Sequence, residues 1–337
     1  MPLIIPVFIP HQGCPQHCLF CNQVSISGQS AEQEDDGERT LRIIREWLAR
    51  SRHRRKVQVA FYGGSFTCLP KSRQTRFLAA VQPFIQSGEV DSIRLSTRPD
   101  CVDEEVCDFL KDYKVETVEL GVQSFDDHVL EASLRGHSRE DAVRAARLVK
   151  EKGLDLGIQL MVGLPGQGSR SWLKSLGEVV ALAPRFVRIY PTLVIAGSGL
   201  AAAYRKGHFQ PMSMNRAIAS CCRAKEIFHR EGIRIVRMGL QPSEELEKEL
   251  LAGPYHPAFG ELVAARLWFR RARRLLAVCP VEKTVKISIS DRDLSAFVGP
   301  KRVNMKRLQE LADRGNRKMK LETDKEIPRG IINHVIA

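Results

Sequence analysis

Long apolar runs and export signals are both missing from this sequence of 337 residues. No uncharged apolar segment approaches the roughly 18 residues that a membrane-spanning helix requires, so no such helix is expected. The first residues place two prolines in a short apolar stretch with no basic segment ahead of it. This pattern argues against a signal peptide and favours a buried strand. We therefore expect a cytoplasmic protein without membrane contacts.

Internal repeats and low-complexity tracts are absent, and acidic residues are scarce relative to basic ones. The chain has 52 Lys and Arg against 39 Asp and Glu, a net charge of +13. The segment 270–337 alone holds 17 basic and 8 acidic residues, which places +9 in the last fifth of the chain. Such a segment is able to bind a polyanion such as RNA. A solvated basic surface explains it equally well.

Nine cysteines are present, and three of them fall within eight residues. Without an export signal, cysteines are expected to be reduced thiols or metal ligands. The six others are scattered, and we expect them to be small buried hydrophobic residues. They are Cys68, Cys101, Cys107, Cys221, Cys222 and Cys279.

Short β-branched runs alternate with amphipathic helical patterns over the first two thirds of the chain. Predicted strands cover Ile4–Ile9, Val57–Tyr62, Ser92–Ser96, Thr117–Val122, Asp155–Met161 and Phe186–Tyr190, and predicted helices cover 38–51, 71–86, 103–112, 139–152 and 170–182. This order predicts an α/β fold in which helices cover a parallel sheet that right-handed crossovers curl into a barrel or part-barrel. Functional residues then belong at the carboxyl ends of the strands.

The pattern changes after Tyr190. A helix at 213–231 and a strand at Ile233–Arg237 are predicted first. A strand (Thr284–Ile289), a helix (Lys301–Arg314) and a strand (Lys318–Glu322) then indicate a separate small α/β module. We predict two domains: residues 1–275 as the barrel with its C-terminal extension, and residues 280–337 as a small basic domain suited to docking RNA.

Cys14, Cys18 and Cys21 follow the first predicted strand with the spacing C-x3-C-x2-C. A [4Fe–4S] cluster held entirely by protein uses four thiolates, so three leave one iron open. The amino nitrogen and carboxylate oxygen of S-adenosylmethionine (SAM) suit that position. A zinc site completed by His11 or His17 is an alternative, as are three unrelated core cysteines. The position after a strand, with Phe20 before the last cysteine, favours the cluster.

These residues resemble the signature of the radical SAM superfamily, C-x3-C-x-aromatic-C after the first barrel strand. Segments after later strands extend the resemblance. Phe61–Phe66 is similar to the superfamily's Gly-Gly-Glu-type turn, with Ser65 in place of glutamate. Gly121–Phe125 resembles a segment shared by the oxygen-independent coproporphyrinogen oxidase and Elongator catalytic-subunit branches, and Gly157–Gln167 resembles strand five and its turn.

The resemblance implies a partial (β/α)6 radical SAM barrel with a small C-terminal α/β module. It also implies a [4Fe–4S] cluster, SAM, and a one-electron reductant of the flavodoxin or ferredoxin type. Arg98 would reach the SAM carboxylate, which suits a guanidinium fork. The expected metal ligands are Cys14, Cys18 and Cys21; the expected cofactor-binding residues are Phe20, Tyr62, Gly63, Gly64, Ser65, Ser96, Arg98, Gln123, Gln159 and Gly163; and the candidate catalytic residues are Tyr190, Tyr255 and His256.

Val187–Ile195, followed by Gly197-x-Gly199, resembles the Elongator catalytic-subunit-like branch, whose members modify the wobble uridine of tRNA with acetyl-CoA as carbon donor. The cysteine spacing here is the short form. The residues after the barrel are too few for an acetyltransferase domain, and no Gly-rich acetyl-CoA loop is visible. The resemblance therefore covers the radical SAM part, roughly residues 1 to 270.

We hypothesise a radical SAM enzyme that modifies RNA, with tRNA as the expected substrate. In Phe297–Asn304, Gly299 and two cations near a helix start form a candidate anion site. One alternative is a radical SAM oxidoreductase on a small molecule such as a porphyrinogen. The other is a non-catalytic zinc- or cluster-binding protein that binds RNA.

Overall fold

The computed structural model describes residues 3–9, 14, 17–22, 35–51 and 56–337. Its elements in chain order are β1 (Leu3–Phe8), α1 (Asp36–Arg50), β2 (Val57–Tyr62), α2 (Lys71–Gln86), β3 (Ser92–Thr97), α3 (Glu104–Asp112), β4 (Val115–Gln123), α4 (Asp127–Ala132), α5 (Arg139–Glu151), β5 (Asp155–Val162), α6 (Ser169–Leu182), β6 (Phe186–Pro191), β7 (Val194–Ile195), α7 (Gly199–Arg205), α8 (Met214–Arg230), β8 (Arg234–Met238), α9 (Glu244–Glu249), β9 (Leu250–Ala252), α10 (Phe259–Val278), β10 (Thr284–Ser290), α11 (Leu294–Val298), α12 (Val303–Arg314), β11 (Lys318–Asp324) and β12 (Ile332–Ile336). The predicted strands and helices are confirmed, with bounds that differ by no more than two residues.

The main sheet has seven strands in the order β1-β2-β3-β4-β5-β6-β8. Every neighbouring pair is parallel, as the alternation of strands and helices predicts. Six of the strands are those predicted for the barrel, and β8 adds a seventh at the edge. The carboxyl ends of all seven strands therefore lie along one edge of the sheet.

A contact between distant strands shows how strongly this sheet curls. Tyr62 on β2 and Arg188 on β6 have three strands between them, roughly 19 Å in a flat sheet at about 4.8 Å per strand. Yet Nη2 of Arg188 donates a hydrogen bond of 3.0 Å to the hydroxyl of Tyr62. The two side chains meet only if the sheet wraps around them, so the predicted part-barrel is confirmed.

The covering helices are amphipathic, and α5 illustrates why. Its buried residues are Ala142, Ala145, Ala146 and Val149, which repeat at helical spacing on the face packed against β4 and β5. The predicted capping box at its start is present, since Ser138 and Asp141 each accept a hydrogen bond from the backbone N–H of the other. No helix within the described part of the chain combines the length and apolar character needed to cross a membrane.

The chain divides into two compact units. The first comprises residues 1–214 and 226–255, and the second comprises residues 215–225 and 256–337. In the second unit β10 pairs with β11 in parallel and with β12 in antiparallel orientation. Its core is formed by alternate residues of β10 with apolar residues of α10 and α12. The prediction placed residues up to 275 with the barrel, whereas these contacts group α10 with the C-terminal sheet.

Cys68 and Cys101 form a disulfide, with their Cα atoms 5.4 Å apart. They end the short 3-10 turns Phe66–Cys68 and Pro99–Cys101, which follow the neighbouring strands β2 and β3. The expectation that both are isolated buried hydrophobic residues is therefore wrong. The pairing follows from the sheet order, because the turns after adjacent parallel strands meet at the same edge. The other four scattered cysteines are buried as expected.

Candidate active site

Partly exposed residues in otherwise buried strands mark an open cleft on the concave face of the sheet. Arg94 on β3 contacts Glu119 on the neighbouring strand β4, and alternation along a strand puts Ser96 on the face of Arg94 and Gly121 on that of Glu119. We call this set the cleft residues: Tyr62, Ser96, Gly121, Gln159, Arg188 and Tyr190. Four of them were predicted as site residues, and all but Arg188, which lies near the middle of β6, are in the carboxyl-terminal half of their strands.

The cysteine loop follows β1 at this edge. Cys18 is 8% exposed, and its carbonyl oxygen accepts a 3.0 Å hydrogen bond from the N–H of Cys21 in a tight turn. His17 is exposed, and His11 lies outside the described residues. Among the residues that the structure describes, no group of three or more Cys, His, Asp or Glu side chains is arranged to hold a metal ion.

Two backbone hydrogen bonds attach the cysteine loop to the rest of the barrel through Leu19. Its N–H donates to the carbonyl of Ser133 (3.0 Å), and its own carbonyl accepts from the N–H of Leu200 (2.6 Å). Leu19 is thereby fixed on both sides, between the segment after α4 and the start of α7.

The Gly197-x-Gly199 pair provides the surface on which the cysteine loop rests. Asn22 donates a 2.6 Å hydrogen bond to the carbonyl of Ala196. A β-carbon at Gly197, whose φ is +75°, would lie 3.0 Å from Nδ2 of Asn22, and one at Gly199 would lie 2.8 Å from Cδ1 of Leu19. These glycines therefore let the loop approach the backbone closely.

Arg135 is a site residue that the sequence analysis missed. Its Nη1 donates to Sγ of Cys18 at 3.2 Å, and its Nη2 donates to the carbonyl of Gly121 at 2.5 Å. The residue is 6% exposed, and its Nε has no hydrogen-bond partner among the described residues. A β-carbon at Gly121 would lie 3.1 Å from Nη2, so glycine leaves room for the guanidinium. An isolated arginine in a loop carries no sequence signal for this position.

The turn after β2 lies beside the cysteine loop. Gly63 has φ of +90°, which other residues rarely adopt. Ser65 is 4% exposed, and its Oγ is 3.3 Å from Sγ of Cys14. The serine that stands in place of the family's glutamate thus contacts an expected cluster ligand. Gly64 between them is partly exposed.

Gln123 and Gln159, from adjacent strands, are brought together. Nε2 of Gln159 donates to Oε1 of Gln123 at 3.2 Å. Gln123 is buried and has φ of +68°, an unusual conformation that ends β4 at a register shift. Gly163, after β5, has φ of +89° and donates its N–H to Oε1 of Gln167 at 2.6 Å.

Arg98 is engaged differently from the prediction. It is 1% exposed, and its Nε and Nη2 donate to the two carboxylate oxygens of Asp100 at 3.0 and 2.7 Å. His137 lies behind this pair, with Nδ1 3.9 Å from Asp100 and Nε2 3.2 Å from the carbonyl of Val122. Burial and the neighbouring Arg135 lower the pKa of His137 to about 3. The guanidinium of Arg98 thus already holds a carboxylate of the protein.

The predicted aromatic residues lie in different surroundings. Phe20 and Tyr190 pack against the same cluster of Val129, Met161 and Leu164, which places Tyr190 beside the cysteine loop.

Tyr255 packs on Leu193, Ile195 and Leu246. Its hydroxyl donates to Glu247 at 2.6 Å, and burial together with this bond raises its pKa to about 12. His256 is exposed, and its Nδ1 accepts from the N–H of Ala258 at the start of α10.

Two cleft residues, Tyr62 and Arg188, contact a buried ion pair on the same face, and we call these four residues the cleft floor: Tyr62, Arg94, Glu119 and Arg188. Glu119 is 2.6 Å from Nη2 of Arg94 and 2.8 Å from Nε of Arg188. Burial and the Glu119 carboxylate raise the pKa of Tyr62 above its ordinary value. Burial alone would lower the pKa of Arg188. Its interactions with Glu119, Tyr190 and Tyr62 outweigh burial and raise that pKa above its ordinary value.

Known proteins resemble this chain in both sequence and fold. Residues 8–179 match the family model of the radical SAM superfamily, and residues 184–268 match that of the radical SAM C-terminal domain. The tRNA uridine(34) acetyltransferase of Methanocaldococcus infernus is 32% identical over 193 residues, which is 51% of this chain and 36% of that protein. The chain thus spans about a third of that relative's length.

Two solved structures share the fold. The archaeal Methanocaldococcus infernus Elp3 with an N-terminus deletion has a TM-score of 0.62 at 24% identity, covering 81% of this chain and 63% of that one. The coproporphyrinogen III oxidase HemN from Escherichia coli, described as a radical SAM enzyme, has a TM-score of 0.51 at 20% identity, covering 68% and 53%.

Proposed function

Because the chain belongs to the radical SAM superfamily, we propose that it is an RNA-modifying enzyme of that superfamily, with tRNA as its substrate. It is a radical SAM enzyme, and its cofactors are a [4Fe–4S] cluster and SAM. Enzymes of this class need a reductant. The observation that carries the RNA proposal is the 32% identity over 193 residues to a protein named tRNA uridine(34) acetyltransferase.

The residues of the cysteine loop fit such a cluster by their chemistry. Cys14, Cys18 and Cys21 would hold it, which leaves one iron for SAM. When bound, the cluster supplies one electron that cleaves SAM reductively to methionine and a 5′-deoxyadenosyl radical. Arg135 and Ser65 contact two of these sulfurs, so a cationic and a hydroxyl donor are available to anionic thiolates.

The surrounding residues would bind and orient SAM. The unpartnered Nε of Arg135 suits the SAM carboxylate, because that carboxylate would lie next to the cysteine ligands. The turn at Gly63 allows backbone to approach the amino group. The paired amides of Gln123 and Gln159 would hydrogen-bond the nucleoside, and Tyr190 would line the substrate side of the cleft.

The second unit would dock RNA through the start of α12. Lys301 and Arg302 are exposed, have left-handed backbone conformations (φ 49° and 60°) and directly precede Val303, where the helix begins. Arg302 occupies the N-cap position without a side-chain cap, so the first N–H groups of a 12-residue helix are open to an anion. Gly299, at φ +75°, packs against Asn304, whose amide donates to the carbonyl of Phe297 and fixes the turn.

The salt dependence of RNA binding tests the docking proposal. The variant Lys301→Glu/Arg302→Glu should bind total tRNA at least about tenfold more weakly and flatten the slope of log K against log salt by roughly 1 to 2, because phosphate neutralisation releases counterions. A matched control is Lys111→Glu/Lys114→Glu, which reverses two exposed lysines, one in the last turn of α3 and one directly before β4. Equal slopes for the two variants would refute docking at α12.

Turnover tests the reaction itself. Anaerobically reconstituted protein, with reductant, SAM and total tRNA, should form 5′-deoxyadenosine and a new modified nucleoside detectable by mass spectrometry of digested tRNA. Turnover of SAM with unchanged nucleosides would refute the RNA proposal. It would favour the second candidate, a small-molecule oxidoreductase acting on a substrate such as a porphyrinogen, which the Gly121–Phe125 segment supports. Superfamily membership decides against the non-catalytic zinc-binding alternative.

A further inference from the structure

The cleft floor carries more positive than negative charge. Two guanidinium groups, of Arg94 and Arg188, share the single carboxylate of Glu119. In the part of the chain that the structure describes, no second carboxylate lies within ion-pair distance of either arginine. Their side chains are 10% and 17% exposed. An uncompensated charge in such surroundings is costly unless it gains a partner.

The two arginines are not equivalent. Arg94 is committed to the protein: it pairs with Glu119 and its guanidinium lies 4.8 Å from the centroid of the Phe186 ring. A β-carbon at Gly157 would lie 2.5 Å from that ring, so glycine makes room for this stack. Arg94 therefore supplies charge without reaching the opening.

Arg188 faces the cleft. Its Nε and Nη2 contact Glu119 and Tyr62. Within the described part of the chain, the one hydrogen-bond partner of its Nη1 is the Tyr190 hydroxyl, at 3.4 Å, which is a long contact for such a donor. Tyr190 is itself a partly exposed cleft residue, so an incoming acceptor could replace or bridge this contact.

We propose that Arg188, backed by the charge of Arg94, binds one anionic group of the substrate, a carboxylate or a phosphate, at the floor of the cleft. This inference deepens the proposed function and rests on it, because it specifies the chemistry of the molecule that the same cleft receives. Glu119 neutralises one guanidinium, and the substrate anion neutralises the other. The subsite thereby fixes the substrate at the side of Tyr190.

The test measures thermal stabilisation of the purified chain by sodium phosphate and, separately, by sodium acetate at constant ionic strength. A ligand that binds only the folded state raises the melting temperature by an amount that grows with the logarithm of its concentration relative to its dissociation constant. Arg188→Gln should weaken the better anion on the order of tenfold or more, the value of a lost charge-assisted hydrogen bond. The control is Arg185→Gln, at the residue directly before β6. It removes a guanidinium that pairs with Asp155 at 2.6 Å, and it should leave anion binding unchanged.

Glu119→Gln separates a ligand site from a structural ion pair. Removing the internal carboxylate frees the second guanidinium, so the proposal predicts tighter anion binding by about tenfold. A purely structural cluster predicts lower stability with no gain in affinity. This variant keeps the test decisive even if Arg188→Gln does not fold.

The remaining outcomes come from comparing phosphate with acetate and from adding a cofactor analogue. Preference for phosphate assigns a phosphate-bearing substrate, and preference for acetate assigns a carboxylate-bearing one; either supports the subsite. No response in the wild type, or equal responses in the Arg188 and Arg185 variants, overturns it. Loss of the response in reconstituted protein saturated with S-adenosylhomocysteine also overturns it, because the charge would then serve SAM. None of these measurements needs turnover, so they can fail independently of the RNA proposal.

Discussion

Replacing Arg135 with methionine would remove a guanidinium from the centre of the candidate site while keeping most of the volume of its stem. The side chain donates to Cys18 and to the carbonyl of Gly121, and its buried Nε is unpartnered among the described residues. A hydrogen bond to a charged group contributes about 1.5–3 kcal/mol. If that bond is made to the SAM carboxylate, its loss corresponds to roughly 10- to 150-fold weaker SAM binding.

The assay is the dissociation constant of SAM for anaerobically reconstituted protein, measured beside the iron content per chain. Arg139→Met is the control, because that guanidinium holds Glu178 and is partly exposed. It should change SAM affinity by less than about threefold, within the small effect of an exposed ion pair. Arg135→Lys should recover part of the affinity, since it keeps the charge but loses the fork. Equal SAM affinity and iron content in the two methionine variants would refute the role assigned to Arg135.

Three further results are expected. Gly197→Ala should lower the iron retained after reconstitution. The control is Gly207→Ala, which carries the same backbone strain of about 1–2 kcal/mol because φ is +74°, but has nothing within 4 Å of the added β-carbon, and it should retain its iron. Equal losses of iron in the two variants would show that contact with the cysteine loop is irrelevant. Reducing the Cys68–Cys101 disulfide, which spans 33 residues, should lower the free energy of unfolding measured with guanidinium by about 3–4 kcal/mol. An unchanged midpoint of the unfolding transition would contradict a contribution of this disulfide to stability. Burial depresses the pKa of His137 to about 3, whereas in the unfolded chain the histidine binds a proton below its ordinary pKa of 6.5. The free energy of unfolding should therefore decrease as the pH is lowered from 6.5 to 3, by on the order of 1 kcal/mol per pH unit. His137→Gln should lose this slope, and an unaltered slope would exclude the histidine as its source.

The strands and their order follow from the sequence because buried β-branched runs alternate with amphipathic helices. The same rule brings Gln123 and Gln159 together, since they end adjacent strands. Arg135 could not be found this way. It lies in a loop after α4, and its contact with Cys18 joins residues 117 positions apart.

Side-chain pairings within the protein explain where the sequence-based predictions for Arg98, Cys68 and Cys101 differ from the structure. Arg98 is held by the carboxylate of Asp100, only two residues away in the sequence. The sequence alone could have indicated this pair, but the resemblance to the family predicted a cofactor contact for Arg98 instead. The Cys68–Cys101 disulfide depends on which 3-10 turns meet at the sheet edge. The excess charge of the cleft floor arises because Arg94 and Glu119, on the neighbouring strands β3 and β4, are joined by Arg188 from β6.

The account depends on an iron that the three cysteines leave open to SAM, and Mössbauer spectroscopy of the anaerobically reconstituted protein with and without SAM tests this most directly. We predict a [4Fe–4S] cluster in which SAM changes the signal of one iron among four, and in which replacing Cys14, Cys18 or Cys21 with alanine abolishes the cluster. Four irons that remain identical when SAM is added, or a cluster that survives loss of these cysteines, would contradict it.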